Sequence, residues 1–157
     1  MAMKSEGVGS RAPVSAAGAG HGALRSVIAW QVLSALLLLA MGAIHLYLAI
    51  KGAGSLETPF VLNAVGGLVL AIGIVVLRGR LLLLASVLST LFMAGTLLAL
   101  VLALTVGLFG VHEVLSYQPA LITLVLESIG TIVLAVTTGL VYRTVRGSLT
   151  QSRGVRI

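Results

Sequence analysis

His45, Asn63, His112, Glu113 and Glu127 are the side chains with the most chemical reach in this sequence, because each lies in or at the edge of a long apolar stretch. A histidine beside a carboxyl group can hold and relay a proton, and an asparagine can donate to or accept from either. Imidazoles and carboxylates together are also acceptable ligands for zinc or copper. Which chemistry applies depends on whether the chain brings the five together, and the elements carrying them decide that.

Four apolar runs carry them, over residues 27–50, 60–77, 81–111 and 120–142. Each approaches or exceeds the ~20 residues an α-helix needs to cross hydrocarbon. With 59% hydrophobic and only 9% charged residues, the chain lacks the polar surface of a soluble domain. The expected fold is all-α, a four-transmembrane-helix bundle over 26–142. A Gly/Ala/Ser-rich tail (1–25), expected to be disordered, precedes it, and a basic tail (143–157), expected to be unstructured, follows. The first run is about twice as long as a signal-peptide core and reads as an anchor that stays in the protein.

The net charge of +6 could suggest nucleic acid, but no aromatic-basic motif accompanies it, and no nucleic-acid role is expected. Of the 10 basic residues, all but Lys51 fall in the N-terminal tail, at Arg78 and Arg80, or in the C-terminal tail. The positive-inside rule then places both termini and the second break in the cytoplasm, with the chain a multi-pass protein of the inner (plasma) membrane. The bilayer is its first partner, through basic side chains at anionic headgroups. There is no cysteine, which removes disulfides, thiol catalysis and sulfur-ligated metals.

Within the runs, Pro59 and Pro119 stand at helix starts, where a missing backbone donor costs nothing. Residues 81–111 would extend about 46 Å as one straight helix, so a bend at Gly107–Gly110 is expected. Gly95, Ala99, Ala103 and Gly107 recur at every fourth position, as do Glu127, Thr131, Ala135 and Gly139, with a shorter stripe at Gly67 and Ala71. Such stripes predict close helix packing within the bundle or between copies, in a homo-oligomer or a larger membrane complex. Ser86, Ser89 and Thr90 are expected to bond back to carbonyls of their own helix.

Depth can be read from the same frame. From Pro119 down to Glu127 is roughly 12 Å, and from Ile50 back to His45 roughly 8 Å, at ~1.5 Å per residue. Asn63 lies one turn into the second run, and His112 and Glu113 lie at the end of the third. All five therefore fall in the outer half of the membrane, while the inner half holds almost nothing ionisable. An ionisable group in hydrocarbon costs several kcal/mol unless it is paired, neutral or watered.

Three readings follow for this cluster. It can be a buried His45–Asn63–Glu127 hydrogen-bond network that fixes helix packing, as in a structural or accessory membrane subunit. It can be a proton-linked site of a small transporter or proton-coupled binder, with Glu127 titrating and His45 relaying. It can be an outward-opening cavity for a small ligand or lipid headgroup. The first is the default for polar groups between membrane helices, and the transporter is the alternative.

No metal site or cofactor is expected. The His112-Glu113 pair lacks the second histidine of H-E-x-x-H, and His45 and His112 differ by about a helical turn in depth, which disfavours a shared haem. No catalytic residues stand out either, since the chain has no G-x-S-x-G, P-loop or dinucleotide fingerprint.

Three segments, HLYLAIKGAGSLETPFVLNAVGGLVLAI, GLFGVHEV and LVLESIG, carry a resemblance. In them the chain resembles a group of small four-helix actinobacterial membrane proteins, over roughly residues 44–131. In that group a His-Leu pair closes the first helix, an Asn lies early in the second, a Gly-Leu-Phe-Gly-x-x-Glu segment ends the third and a Glu lies in the fourth. His45, Asn63, Glu113 and Glu127 occupy those places. The resemblance implies the four-helix fold and the same polar set, and supplies no activity.

Overall fold

The computed structural model describes residues 16–52, 54–107 and 118–154. These form α1 (Ala16–Ile50), a 3₁₀ turn (Gly54–Leu56), α2 (Glu57–Val76), α3 (Gly79–Thr105) and α4 (Gln118–Gly154). Among the described residues there is no strand. All four helices are long and apolar enough to cross a membrane, as the hydropathy pattern predicts. Their outward faces carry Leu36, Leu62, Val69, Leu91 and Ile132, each more than half exposed, which is the surface lipid requires.

Two helices run further than the sequence reading allows. α1 begins at Ala16, inside the segment expected to be disordered, and α4 continues to Gly154 through most of the basic tail. A helix nucleated in an apolar run gains one hydrogen bond per residue added, and alanines 16, 17, 19 and 23 resist it least. After Pro119 no proline interrupts α4. The third helix does the reverse and stops early. Its backbone turns at Gly107 (φ 83°), whose N–H reaches back to the Leu102 carbonyl at 3.0 Å. A left-handed conformation there costs a glycine nothing.

The helices form a ring in which each packs on two neighbours, α1 on α2 and α4, and α3 on α2 and α4. The closest pairs are α1/α2 and α3/α4. At the α1/α2 crossing the backbones almost touch, because a Cβ on Gly67 would lie 3.0 Å from the Leu38 carbonyl oxygen. On the α2/α3 side the Phe92 ring fills the space over Gly66 and keeps the backbones apart. Helices α2 and α3 are therefore neighbours, as their short connection demands, but form the loosest seam. In that connection the Arg78 guanidinium donates to the Val75 and Leu77 carbonyls at 2.6 and 2.8 Å, serving acceptors the end of α2 leaves open.

Only one of the three small-residue stripes is a packing face along its length. Gly67 and Ala71 are buried against α1, whereas Gly95, Ala135 and Gly139 are exposed, and a Cβ on Gly95 or Gly139 would meet nothing within 4 Å. The glycine that matters on α4 is Gly130, which receives the Met93 side chain. The core lies at mid-height: Ala35, Leu38, Met41, Ala71, Ile74, Met93 and Leu134. This apolar plug separates the polar groups of the bundle into two sets.

Candidate functional site

The first polar set lies toward the end of the bundle that carries the α1–α2 loop. On α1 the His45 Nδ1–H donates to the Met41 carbonyl, one turn earlier, at 2.9 Å. A carbonyl can only accept, so the ring proton sits on Nδ1, and the neutral ring presents its lone pair on Nε2. That nitrogen faces Glu127 of α4, with Nε2 and Oε1 3.9 Å apart. Phe60 of α2 packs edge-on against the imidazole, its ring centroid 5.2 Å away at 77°, and restrains its orientation.

Glu127 is 0% exposed, and neither carboxyl oxygen has a hydrogen-bond partner among the described residues. The 3.9 Å to His45 is an ion-pair distance, too long for a hydrogen bond. The Thr96 hydroxyl of α3 lies beside the carboxyl but donates its one proton to the Met93 carbonyl at 2.8 Å. One turn before Glu127, Thr123 Oγ1 is buried and also has no partner. His45, Glu127, Thr96 and Thr123 thus bring α1, α3 and α4 together around a group of mostly unanswered acceptors.

Above them is a cavity of about 120 Å³, to which all four helices contribute. His45, Asn63, Thr96 and Thr123 make its polar patch. Leu48, Leu56, Phe60, Leu100 and the two helix-start prolines make most of its apolar wall. Glu127 lies one helical turn beyond Thr123, just past the lining.

The depth arithmetic puts His45 and Glu127 in the same half of the membrane, about 4 Å apart in depth, and they do meet. Asn63 shares the cavity but forms no hydrogen bond with either, so the three-residue network expected from the sequence is not made. His112 and Glu113 lie outside the described residues. Among the described residues no three His, Cys, Asp or Glu side chains come close enough to hold a metal ion together.

Thr96 and Thr123 were hidden by the ordinary behaviour of hydroxyls in apolar helices, which is to bond their own backbone. Ser86 and Thr90 do so, at 2.8 and 2.9 Å, while Ser89, expected to match them, is buried without a partner. A usable signal was present for Thr123, which lies four residues before Glu127 and so shares its helix face.

The second polar set, toward the end carrying both termini, joins the helices through side-chain hydrogen bonds, with Ser89 the buried hydroxyl there that has no partner among the described residues. Gln31 of α1 donates to the Ile74 carbonyl of α2 at 3.3 Å. Ser34 of α1 and Thr137 of α4 share a hydrogen bond of 2.8 Å, and Thr90 of α3 and Thr138 of α4 one of 3.0 Å. These contacts join three of the four helix pairs and contain no ionisable group.

Fold and site together define a multi-pass four-helix membrane bundle with a buried His–Glu pair beneath a cavity at one end. No protein-family model, curated protein or solved structure matches the chain.

Proposed function

We propose that this protein is a small proton-coupled binding or transport protein of the plasma membrane. The loop end faces outward, and both termini and Arg78–Arg80 lie in the cytoplasm. Under this proposal His45 and Glu127 hold one proton between them, and the cavity above delivers a ligand to the pair. The orientation rests on the clustering of basic residues at the terminal end.

One observation carries the reading. The buried polar groups that join helices at the terminal end do so through hydrogen bonds, whereas the Glu127 carboxyl, wholly buried, makes none and has only His45 at ion-pair distance. A packing pin repays its desolvation through the bonds it makes. An ionisable group left unpaired in a membrane is instead a functional position by default. The apolar plug of Leu38, Met41, Met93 and Leu134 lies below the site and, in the proposed orientation, separates it from the cytoplasmic side.

The test is proton flux into liposomes, reported by a pH-sensitive dye, for wild type and Glu127→Gln. Flux in wild type and none in a folded Glu127→Gln protein supports the proposal. Flux in neither, with Gln altering only stability, returns the site to helix packing.

A second reading, an accessory subunit, draws on one observation: Gly95, Ala135 and Gly139 leave small, open surfaces facing outward. Such surfaces suit close approach by a helix of a second chain. It predicts a complex that survives mild detergent and that Gly139→Leu disrupts.

A further inference from the structure

We infer that the ligand of this cavity carries an ammonium group on a compact apolar body. The inference deepens the reading of a ligand-binding His45–Glu127 pair and rests on it. It follows from the balance of donors and acceptors at the inner end of the cavity, where His45, Thr96 and Thr123 form the floor and Glu127 lies just behind it. Glu127 Oε1 and Oε2 and Thr123 Oγ1 are buried and unpartnered, and the His45 lone pair is turned toward them because Nδ1–H is committed to Met41. The Thr96 hydroxyl proton is likewise committed to Met93. What the floor lacks is donors, and an ammonium brings three.

The spacing fits as well as the count. Nε2 and Oε1 are 3.9 Å apart, too far to bond to each other. A nitrogen placed ~2.8 Å from both would see them at roughly 90°, within reach of two N–H bonds of one ammonium. Thr123 Oγ1, one turn from Glu127 on the same face of α4, is a further unpartnered acceptor in the lining. An anion would find at most the pair's one shared proton among these acceptors, and a neutral alcohol has a single donor for several of them.

The walls define the rest of the molecule. Leu56, Phe60 and Leu100 present apolar surface, and the volume of about 120 Å³ is somewhat below the ~150 Å³ that encloses a benzene ring. Leu48, Leu56 and Pro119 line the cavity at the loop end, so a ring can stand among them with the ammonium toward His45 and Glu127.

Among the described residues His45 is the titratable group facing Glu127 from the helices packed around it. The pair holds one proton, either on the carboxyl or as imidazolium. When the ammonium binds, Glu127 is left as carboxylate and His45 neutral, and that one proton leaves to solvent. Binding and proton release are thus one event.

The experiment is calorimetry on the full chain in phosphatidylcholine nanodiscs, titrated with benzylammonium, benzyl alcohol and benzoate in buffers of different ionisation heat. Benzylammonium is expected to bind with release of about one proton, at least tenfold more tightly than the other two. Glu127→Gln is expected to lose both the tenfold preference and the proton, and Thr123→Val to weaken binding severalfold while keeping the proton. Repeating the titration with phosphatidylethanolamine in the disc separates two sources of the group. Competition identifies a lipid headgroup, and its absence a free amine. If benzyl alcohol or benzoate binds as tightly as benzylammonium, the ammonium assignment is wrong while the cavity reading stands. If none binds but wild-type proton flux is present, again only the ammonium assignment falls. If none binds and flux is absent, both fall.

Discussion

At the scale of single residues, the bundle separates polar groups that hold it together from those that do not. Ser34 and Thr137 exchange a hydrogen bond of 2.8 Å between α1 and α4, and Thr137 also bonds its own Val133 carbonyl. Interhelical bonds of this kind contribute about 0.6 kcal/mol on average in membrane proteins. A double-mutant cycle of Ser34→Ala and Thr137→Val, read by thermal unfolding in detergent, is therefore expected to show a coupling of ~0.5–1.5 kcal/mol. A coupling near zero would mean the hydroxyls do not pin the helices. Glu127 differs, since its buried carboxyl makes no hydrogen bond that its removal would break. Its neighbourhood was partly legible in the sequence. Counting residues from the helix ends put His45 and Glu127 in the same half of the membrane, about 4 Å apart in depth, and they meet. It could not show that Asn63 stays apart or that Thr96 turns its proton to Met93, because both depend on helix rotation and on competition with backbone carbonyls.

At the scale of elements, hydropathy alone fixed the four helices, because every backbone polar group in hydrocarbon must be satisfied within its own segment. Their ends were less legible. Outside the membrane, continuation of α1 and α4 is decided by local propensity, which is weak and spread over many residues. The small-residue stripes show a different ambiguity. In lipid a glycine is tolerated on the packing face and on the outer face alike, so spacing by fours does not say which face it marks. Gly67 and Gly139 make the difference measurable. A Cβ on Gly67 would press on the Leu38 backbone at 3.0 Å, whereas on Gly139 it would meet nothing. Gly67→Ala is expected to lower stability by about 1–3 kcal/mol through overpacking. Gly139→Ala is expected to raise it by about 0.5–1 kcal/mol through helix propensity. Thermal unfolding of the two variants checks both, and a similar shift in each would show that the α1/α2 seam is not as close as described.

At the scale of the whole molecule, the plug of Leu38, Met41, Met93 and Leu134 divides an end joined by interhelical hydrogen bonds from an end that holds the His45–Glu127 pair. The orientation proposed for these ends is open to a clean test, because the chain has no cysteine. Ser55→Cys, in the α1–α2 loop, is expected to react with a membrane-impermeant maleimide on intact cells, and Ser148→Cys, near the end of α4, only after lysis. The reverse pattern would invert the topology and place the cavity on the cytoplasmic side. The division of labour between the ends has its own signature. Sites kept for function are held at a cost in stability, and their removal stabilises the fold. The deciding measurement is thus the unfolding temperature in detergent of Glu127→Met, nearly the same shape without the charge, beside that of Thr137→Val. Glu127→Met is expected to unfold at a higher temperature than wild type, recovering ~1–3 kcal/mol of unmet desolvation, and Thr137→Val at a lower one. Destabilisation by Glu127→Met as large as that by Thr137→Val would make the carboxyl a structural pin and contradict its assignment as a site.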